Sequence, residues 1–565
     1  MDVPGDSWTP TPTRRARGSR LRNEAISADR FGEWSARIRG AGLAAHGRHD
    51  HGATLTPDIA TLQVEAIEAI DNLGARVQSG VAWKTISQVL LQVSRIVVAL
   101  AVAHLLTPHE WGVAAMVMVI VGFMVALTDN ALGTALVQKR DLTEEDKSTV
   151  LWLNVALGIL LAVVGTALAA PLANFYHEPA VRPLFIAASF GFLVSCLGST
   201  HTALLMRAMD FRQLELRQII ATVIGGGVGI ALAFMHFGAW AIVGQYLAGG
   251  VVSTALLWVF LRWRPRAAFS LESLRRLGGF AGFLFGENVL YQGASGLGPV
   301  VIGRFLGAAA LATFGIAMNV VLMPMARIAA PVAQVFFPAF ARMSDDRERL
   351  ADTWLRSTRL VAAVVCPALV GLAILASDFV PVVLGPQWKS AIPVIQLGAL
   401  AALPTAFDAM MGEVLLALNR PASLFRVTVV SATTTVGALI VGMHWGVVGV
   451  MAGYALVTWI NEAIRLQVVT RSLDLSIRRF ASSFSGVVKA VALMALALVL
   501  GRHVLVAVGA SAAVTLATLT VAGGAIYLSI CLRFNAEIRF ELRRILARWP
   551  ATARYRHVFA AKTEP

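Results

Sequence analysis

The stretch VLWLNVALGILLAVVGTALAAPLA, residues 150–173, holds no Asp, Glu, Lys or Arg. As a helix rising 1.5 Å per residue it would reach roughly 36 Å, enough to cross the ~30 Å hydrocarbon core of a bilayer. Working outward, similar apolar runs lie near 80–105, 111–136, 181–206, 217–236, 239–261, 278–303 and 309–340. Further runs lie near 358–383, 391–418, 427–443, 445–464, 484–501 and 504–531. Short breaks separate them. The pattern predicts an all-α polytopic membrane protein with about 14 transmembrane helices.

Composition agrees. Hydrophobic residues make up 57% of the 565-residue chain and charged residues 14%, against about 25% charged in a soluble protein. Mean hydropathy is +0.69. The net charge of +15 does not point to nucleic acid, because the basic residues sit in short loops and in the two tails, with no continuous basic face interleaved with aromatics. Cys196, Cys366 and Cys531 each lie inside an apolar run without a Cys-x-x-Cys pair, so they read as small core residues rather than disulfide or zinc ligands. No cofactor and no metal are expected.

Lys and Arg are unevenly shared between alternate loops. One set holds Lys139, Arg140, Lys147, Arg207, Arg212, Arg217, Arg262, Arg264, Arg266, Arg275, Arg276, Arg342, Arg347, Arg349, Arg356 and Arg359, and continues through Arg420, Arg426, Arg465, Arg471, Arg478 and Arg479. The other holds little beyond Arg182, Lys389 and Arg502. The asymmetry predicts that the rich set and both termini are cytoplasmic, in a bacterial inner membrane. An even number of crossings is required for that, and fourteen meets it.

Residues 1–77 differ from the rest. The basic cluster Arg14, Arg15, Arg17, Arg20 and Arg22 has no apolar core behind it, which excludes a cleavable secretory signal. His46, His49 and His51 belong to a polar segment expected to be a largely disordered cytoplasmic extension, with a candidate amphipathic helix at 58–77.

The remainder repeats. His236-Phe237-Gly238 with Tyr246 matches His444-Trp445-Gly446 with Tyr454 at an offset of 208, and Trp111-Gly112-Val113-Ala114 matches Phe314-Gly315-Ile316-Ala317 at 203. Gln88, Gln92 and Leu106 match Asn288, Gln292 and Leu306 at 200. Two homologous six-helix bundles, 78–264 and 265–470, are expected. Two additional transmembrane helices follow at 471–535, and a basic cytoplasmic tail at 536–565. Six crossings separate the copies, so the repeat is parallel, with a substrate site between the halves.

Polar groups inside the apolar runs mark that site, since a lone charge at the bilayer centre costs roughly 3 kcal/mol or more. Lys84, Gln88, Gln92 and Arg95 are spaced 4, 4 and 3, which places them on one helical face. Asn288, Gln292 and Ser295 repeat the stripe in the second half without its arginine. Interhelical hydrogen bonding is the competing role for such amides. Arg327 is a second deep cation, close after Pro324, where a kink is expected. Arg304 should snorkel to the outer interface. Asp129, Glu287, Asp408 and Glu413 are candidates for ion coupling or for pairing with an arginine, and His201 reads as a core histidine.

Enzyme signatures are missing. There is no Walker A sequence, no long outer loop for a polymerase or ligase, and no inner loop long enough for a nucleotide-sugar domain. An enzyme is not expected.

Several stretches carry a resemblance: LTEEDKSTVLWLNVALG at 142–158, FYHEPAVRPL at 175–184, ALLMRAMDFRQLEL at 203–216, IGRFLGAAAL at 302–311, FPAFARMSDD at 337–346 and VVLGPQW at 382–388. Together, in this order, they resemble the polysaccharide or lipopolysaccharide biosynthesis flippases of the multidrug/oligosaccharidyl-lipid/polysaccharide exporter superfamily, over about residues 78–480. The chain departs from that family at Gly298, Pro299 and Val300, where an acidic residue is often found before the Ile-Gly-Arg-Phe-Leu-Gly string. The resemblance implies two six-helix lobes around a central cavity. It also implies alternating access of an undecaprenyl-diphosphate-linked oligosaccharide for exopolysaccharide, capsule or O-antigen synthesis. On that basis Arg95, Arg327 and Lys84 are candidates to hold the diphosphate, because guanidinium matches phosphate with paired donors. Gln88, Gln92, Asn288, Gln292 and Ser295 are candidates to bind sugar. The expected partners are the lipid-linked oligosaccharide, membrane lipids, a polysaccharide polymerase and glycosyltransferases, with no nucleic acid. The alternative on the same fold is a cation-coupled multidrug exporter, which would favour a net acidic cavity.

Overall fold

A computed structural model describes residues 87–128, 142–270 and 296–534, together with Trp83, Gly133, Leu136 and Val137. The N-terminal extension with its 58–77 helix and the basic tail lie outside the described residues. Among the described residues there is helix and loop but no strand. That is the expected outcome in lipid, where each backbone N–H and C=O must be satisfied within its own segment.

Twelve described segments are long and apolar enough to cross a bilayer. In chain order the helices are α1 Ser87–Leu105, α2 Pro108–Thr128, α3 Glu144–Tyr176, α4 Val181–Arg207, α5 Phe211–Phe234 and α6 Trp240–Phe260. They continue as α7 Gly296–Leu306, α8 Ala308–Arg342, α9 Arg347–Leu384 and α10 Ala391–Ala417. The last four are α11 Pro421–Gly442, α12 Gly446–Ser472, α13 Ile477–Ala507 and α14 Ala512–Phe534. A single segment, 421–472, holds both α11 and α12, joined by the 3-10 turn Met443–Trp445. Every expected crossing thus has its helix except the seventh, of which only α7 is described.

Side chains cap helix N-termini at both ends of the bundle. At the arginine-rich end four helices are capped in this way. Thr143 and Asp146 form a reciprocal capping box on α3, Asp210 accepts from the Gln213 amide on α5, Asp346 from Arg349 on α9 and Ser476 from Arg479 on α13. These caps satisfy amides that have no intrahelical acceptor. At the arginine-poor end Thr107 and Glu110 cap α2 reciprocally, and Ser511 accepts from the Val514 amide on α14.

Three of the described helices are irregular, α9 because it ends in the π-helical turn Val380–Leu384. In α8, Pro324 ends a regular stretch and the π-helical turn Met325–Ala329 follows. Proline removes one backbone donor and crowds the preceding turn, so the expected kink takes the form of a π-bulge. Helix α10 is interrupted twice, into Ala391–Ala402, Thr405–Asp408 and Met411–Ala417, with Pro404 at the first break.

Helices α3 to α6 pack as neighbours, with α2 against α4, while α9 and α10 pack with α12 and α8. Helix α2 packs on α8 across the two halves, and at Gly112 a Cβ would overlap the Ala308 carbonyl. The closing pair α13 and α14 is fastened to α9. Trp354 stacks on Phe480 with ring centroids 5.6 Å apart, Tyr527 Oη donates to the Ala363 carbonyl at 2.7 Å, and Arg502 Nε donates to Asp378 Oδ2 at 2.6 Å.

Candidate functional site

Gln88, Gln92 and Arg95 follow one another along α1 at the helical spacing expected. The structure adds what they meet. Arg327 Nη2, from the π-turn of α8, donates to Gln92 Oε1 across a sequence distance of 235 residues. The predicted stripe and the predicted second cation are thereby brought together. Arg95 stands three residues beyond Gln92, so its Cβ lies about 5–6 Å from that of Gln92. Arg95 is exposed and makes no hydrogen bond or ion pair with a described residue. Arg327 is also exposed, and Gln92 is its one hydrogen-bond partner among the described residues. One guanidinium therefore meets the Gln92 amide and a second arginine stands on the next turn of α1, neither in an ion pair with a described carboxylate. At the other end of the stripe, Gln88 Nε2 donates to Glu215 Oε2 on α5 at 3.4 Å.

The halves are locked together at the arginine-poor end. The last carbonyls of α1 lack intrahelical donors. Gln387 Nε2 donates to Ala103 O at 2.7 Å and His104 O at 3.1 Å, and Trp388 Nε1 donates to Ala103 O at 2.9 Å. Trp388 is fully buried, its ring edge-on to Trp111 at 5.8 Å. Gly385, at φ +109°, turns the chain from α9 into the 3-10 turn Pro386–Trp388, a conformation that a Cβ would strain. The VVLGPQW stretch is thus a strap that joins the second half to the end of α1. Arg304 stands near the end of α7. It bonds the His177 ring and lies over Phe175 and Phe305, 5.4 and 5.8 Å from their centroids. Its three neighbours offer a fixed ring acceptor and two π faces, which hold the guanidinium against protein.

Asp408 is paired. Arg465 Nη1 lies 2.8 Å from Asp408 Oδ2 and 3.6 Å from Glu462 Oε1, and both carboxylates are buried. Arg465, counted among the loop arginines in the sequence, is inside α12, one turn from Glu462. Glu413 makes no ion pair with a described residue. His201 is a core residue, fully buried between the rings of Trp258 at 4.5 Å and Trp263 at 5.3 Å. Cys196, Cys366 and Cys531 are buried and unbonded. Lys84, Asn288, Gln292 and Ser295, with Asp129 and Glu287, lie outside the described residues.

Three polar residues escaped the sequence reading. Glu215 and Arg217 appeared to belong to a loop, but α5 begins at Phe211. Glu462 carried a usable signal, since an acid one turn before a base inside an apolar helix marks an i,i+3 pair.

A family model described as polysaccharide biosynthesis protein matches residues 101–393, just over half of the chain. The chain belongs to that family. Among relatives of this polysaccharide biosynthesis protein, the lipopolysaccharide biosynthesis protein WzxC of Escherichia coli K12 is 28% identical over 390 residues, covering 68% of the chain and 79% of WzxC. The succinoglycan biosynthesis transport protein ExoT of Rhizobium meliloti is 27% identical over 366 residues, covering 65% of the chain and 74% of ExoT. Lipid II flippase MurJ in an inward closed conformation superposes with a TM-score of 0.63 at 13% identity, over 80% of the chain and 99% of MurJ. At that identity the likeness is one of fold.

Proposed function

We propose that this polysaccharide biosynthesis family member is a transporter, not a catalyst, and flips lipid-linked oligosaccharide across the bacterial inner membrane. The observation that carries this is the meeting of Arg327 with Gln92 one turn from Arg95. Two guanidinium groups without a described carboxylate partner make a net positive place at the middle of the helices. A diphosphate headgroup supplies the missing anion, and each charge-assisted hydrogen bond contributes about 1.5–3 kcal/mol. The amides of Gln88 and Gln92 are sugar partners, with Asn288, Gln292 and Ser295 their counterparts on the second half, and Lys84 lies nearer the entrance. An exporter of organic cations would need acids where Arg95 and Arg327 stand.

The substrate is an undecaprenyl-diphosphate-linked repeat unit supplied by glycosyltransferases and consumed by a polymerase. The arginine-rich end and both termini face the cytoplasm, and the Gln387–Trp388 strap closes the periplasmic end. Residues 78–264 and 265–470 are the two homologous lobes that rock about the cleft. Asp408, Glu462 and Arg465 together carry a formal charge of −1, which makes them the leading place for a coupling cation or proton. Asp129, Glu287 and Glu413 are the other acids available.

The test is flipping of a labelled lipid-linked oligosaccharide in proteoliposomes. Wild type should move it, and Arg95→Gln and Arg327→Gln should insert normally and move it far more slowly. Full activity in both variants would remove the diphosphate clamp. Wild-type inactivity toward such lipids alongside export of organic cations would favour the drug exporter.

A further inference from the structure

The first half holds a partly open cavity of about 270 Å³ among α2, α4, α5 and α6. Its lining has one charged residue, Arg217, and no carboxylate. Arg217 Nη1 donates to Thr202 Oγ1 at 3.1 Å, and its Nε is buried without an acceptor. Glu215, two residues away, is turned to α1, where it takes Gln88. A guanidinium drawn into a bundle with no carboxylate beside it is costly. The rest of the polar lining offers donors. The hydroxyls of Ser195, Ser253 and Tyr246 border the cavity and make no hydrogen bond with a described residue, whereas those of Ser199 and Thr254 already donate to backbone carbonyls.

We infer that this cavity is an anion site for a phosphate-class oxyanion, held by Arg217 with Ser195, Ser253 and Tyr246 around it. The planar guanidinium presents parallel N–H groups that match two oxygens of one phosphoryl group, and hydroxyl donors from two other helices suit the remaining oxygens of a tetrahedral ion. Neutral sugar fits less well, because the lining's side chains include neither amide nor carboxylate. The volume accommodates the ion with several waters, each taking roughly 30 Å³. Arg217 is six residues into α5, roughly 9 Å along its axis. That depth is reachable from the headgroup layer, so the phosphate belongs either to a lipid or to free solute. The site is independent of the central cleft, and neither reading requires the other.

The experiment follows thermal unfolding of the purified full-length protein. In neutral-lipid nanodiscs, inorganic phosphate is compared with chloride at equal ionic strength. In a separate arm, phosphatidic acid replaces part of the neutral lipid. Expected is a saturable rise in Tm of several degrees with phosphate or with phosphatidic acid, absent in Arg217→Gln and reduced in Arg217→Lys. A rise with inorganic phosphate identifies free phosphate as sufficient; a rise with phosphatidic acid alone identifies a lipid headgroup. Gly250→Leu provides the control for misfolding. A Cβ at Gly250 has its nearest neighbour, Val194 Cγ1, 4.0 Å away, so the variant fills cavity space without a clash at Cβ and should also lose the rise. No rise in either arm, an equal rise with chloride, or a rise that survives in Arg217→Gln and Gly250→Leu overturns the proposal.

Discussion

Two clusters of charge, an exposed one where α1 meets α8 and a buried one inside the second half, are compensated in different ways. Around Gln92 the structure gathers two arginines and no described acid. Around Arg465 it gathers two acids and one arginine. In the second cluster the cation is compensated by the protein itself, with Asp408 at 2.8 Å. In the first, no described carboxylate supplies it. The difference separates a cation compensated within the protein from the two that the proposed function assigns to the ligand, although all three side chains belong to the same residue type.

The comparison is broken most forcefully at Arg465. Arg465→Met leaves two buried carboxylates without their cation, and removing one partner of a buried pair costs about 3–5 kcal/mol. Thermal unfolding of the purified protein should show this as a large fall in Tm, and an unchanged Tm would mean that the cluster is not structural. At the cleft the effect should move from stability to function. Arg327→Gln and Arg95→Gln should each lower flipping of labelled lipid-linked oligosaccharide by about 10- to 150-fold, the equivalent of about 1.5–3 kcal/mol per charged hydrogen bond, with Tm little changed. Arg95→Lys should retain part of the activity, since a point charge remains and only the planar fork is lost.

Glu462→Gln sharpens the contrast. It removes the surplus negative charge while Asp408 keeps Arg465 paired, so Tm should fall by only about 1 kcal/mol equivalent. If the surplus charge couples transport to an ion gradient, flipping in this variant should no longer respond to an imposed pH or sodium gradient. The smallest effect is expected at the strap. Gln387→Ala removes two neutral hydrogen bonds to α1, each contributing about 0.5–1.5 kcal/mol. Spin labels at the exposed positions His104 and Lys389 should then report a larger share of molecules with the strap end apart, without loss of folding.

Much of this molecule was legible from residue order alone. The spans follow from apolar length, and α1 to α6 and α8 to α14 stand where the runs predicted. The stripe of Gln88, Gln92 and Arg95 follows from helical spacing, and the irregular turn beside Arg327 from Pro324. Reading loops by their arginines, however, misplaced Arg217 and Arg465. Both are near enough to a helix end to be counted as loop, yet each side chain turns inward to a partner, Thr202 or Asp408.

Sequence by itself determined the all-α polytopic class, the order of the described apolar helices, the uneven distribution of charge along the chain and the polar face of α1. It could do so because these depend on composition and on contacts within a few residues along one helix. Tertiary structure alone decided that Arg327 reaches Gln92, that Trp388 caps Ala103 from 285 residues away and that Arg465 pairs with Asp408. The physical reason is that these helices are apolar on nearly every side. Such a helix has no amphipathic stripe to fix its rotation, so which face meets which neighbour is settled by close packing and by the few interhelical hydrogen bonds the assembled bundle permits.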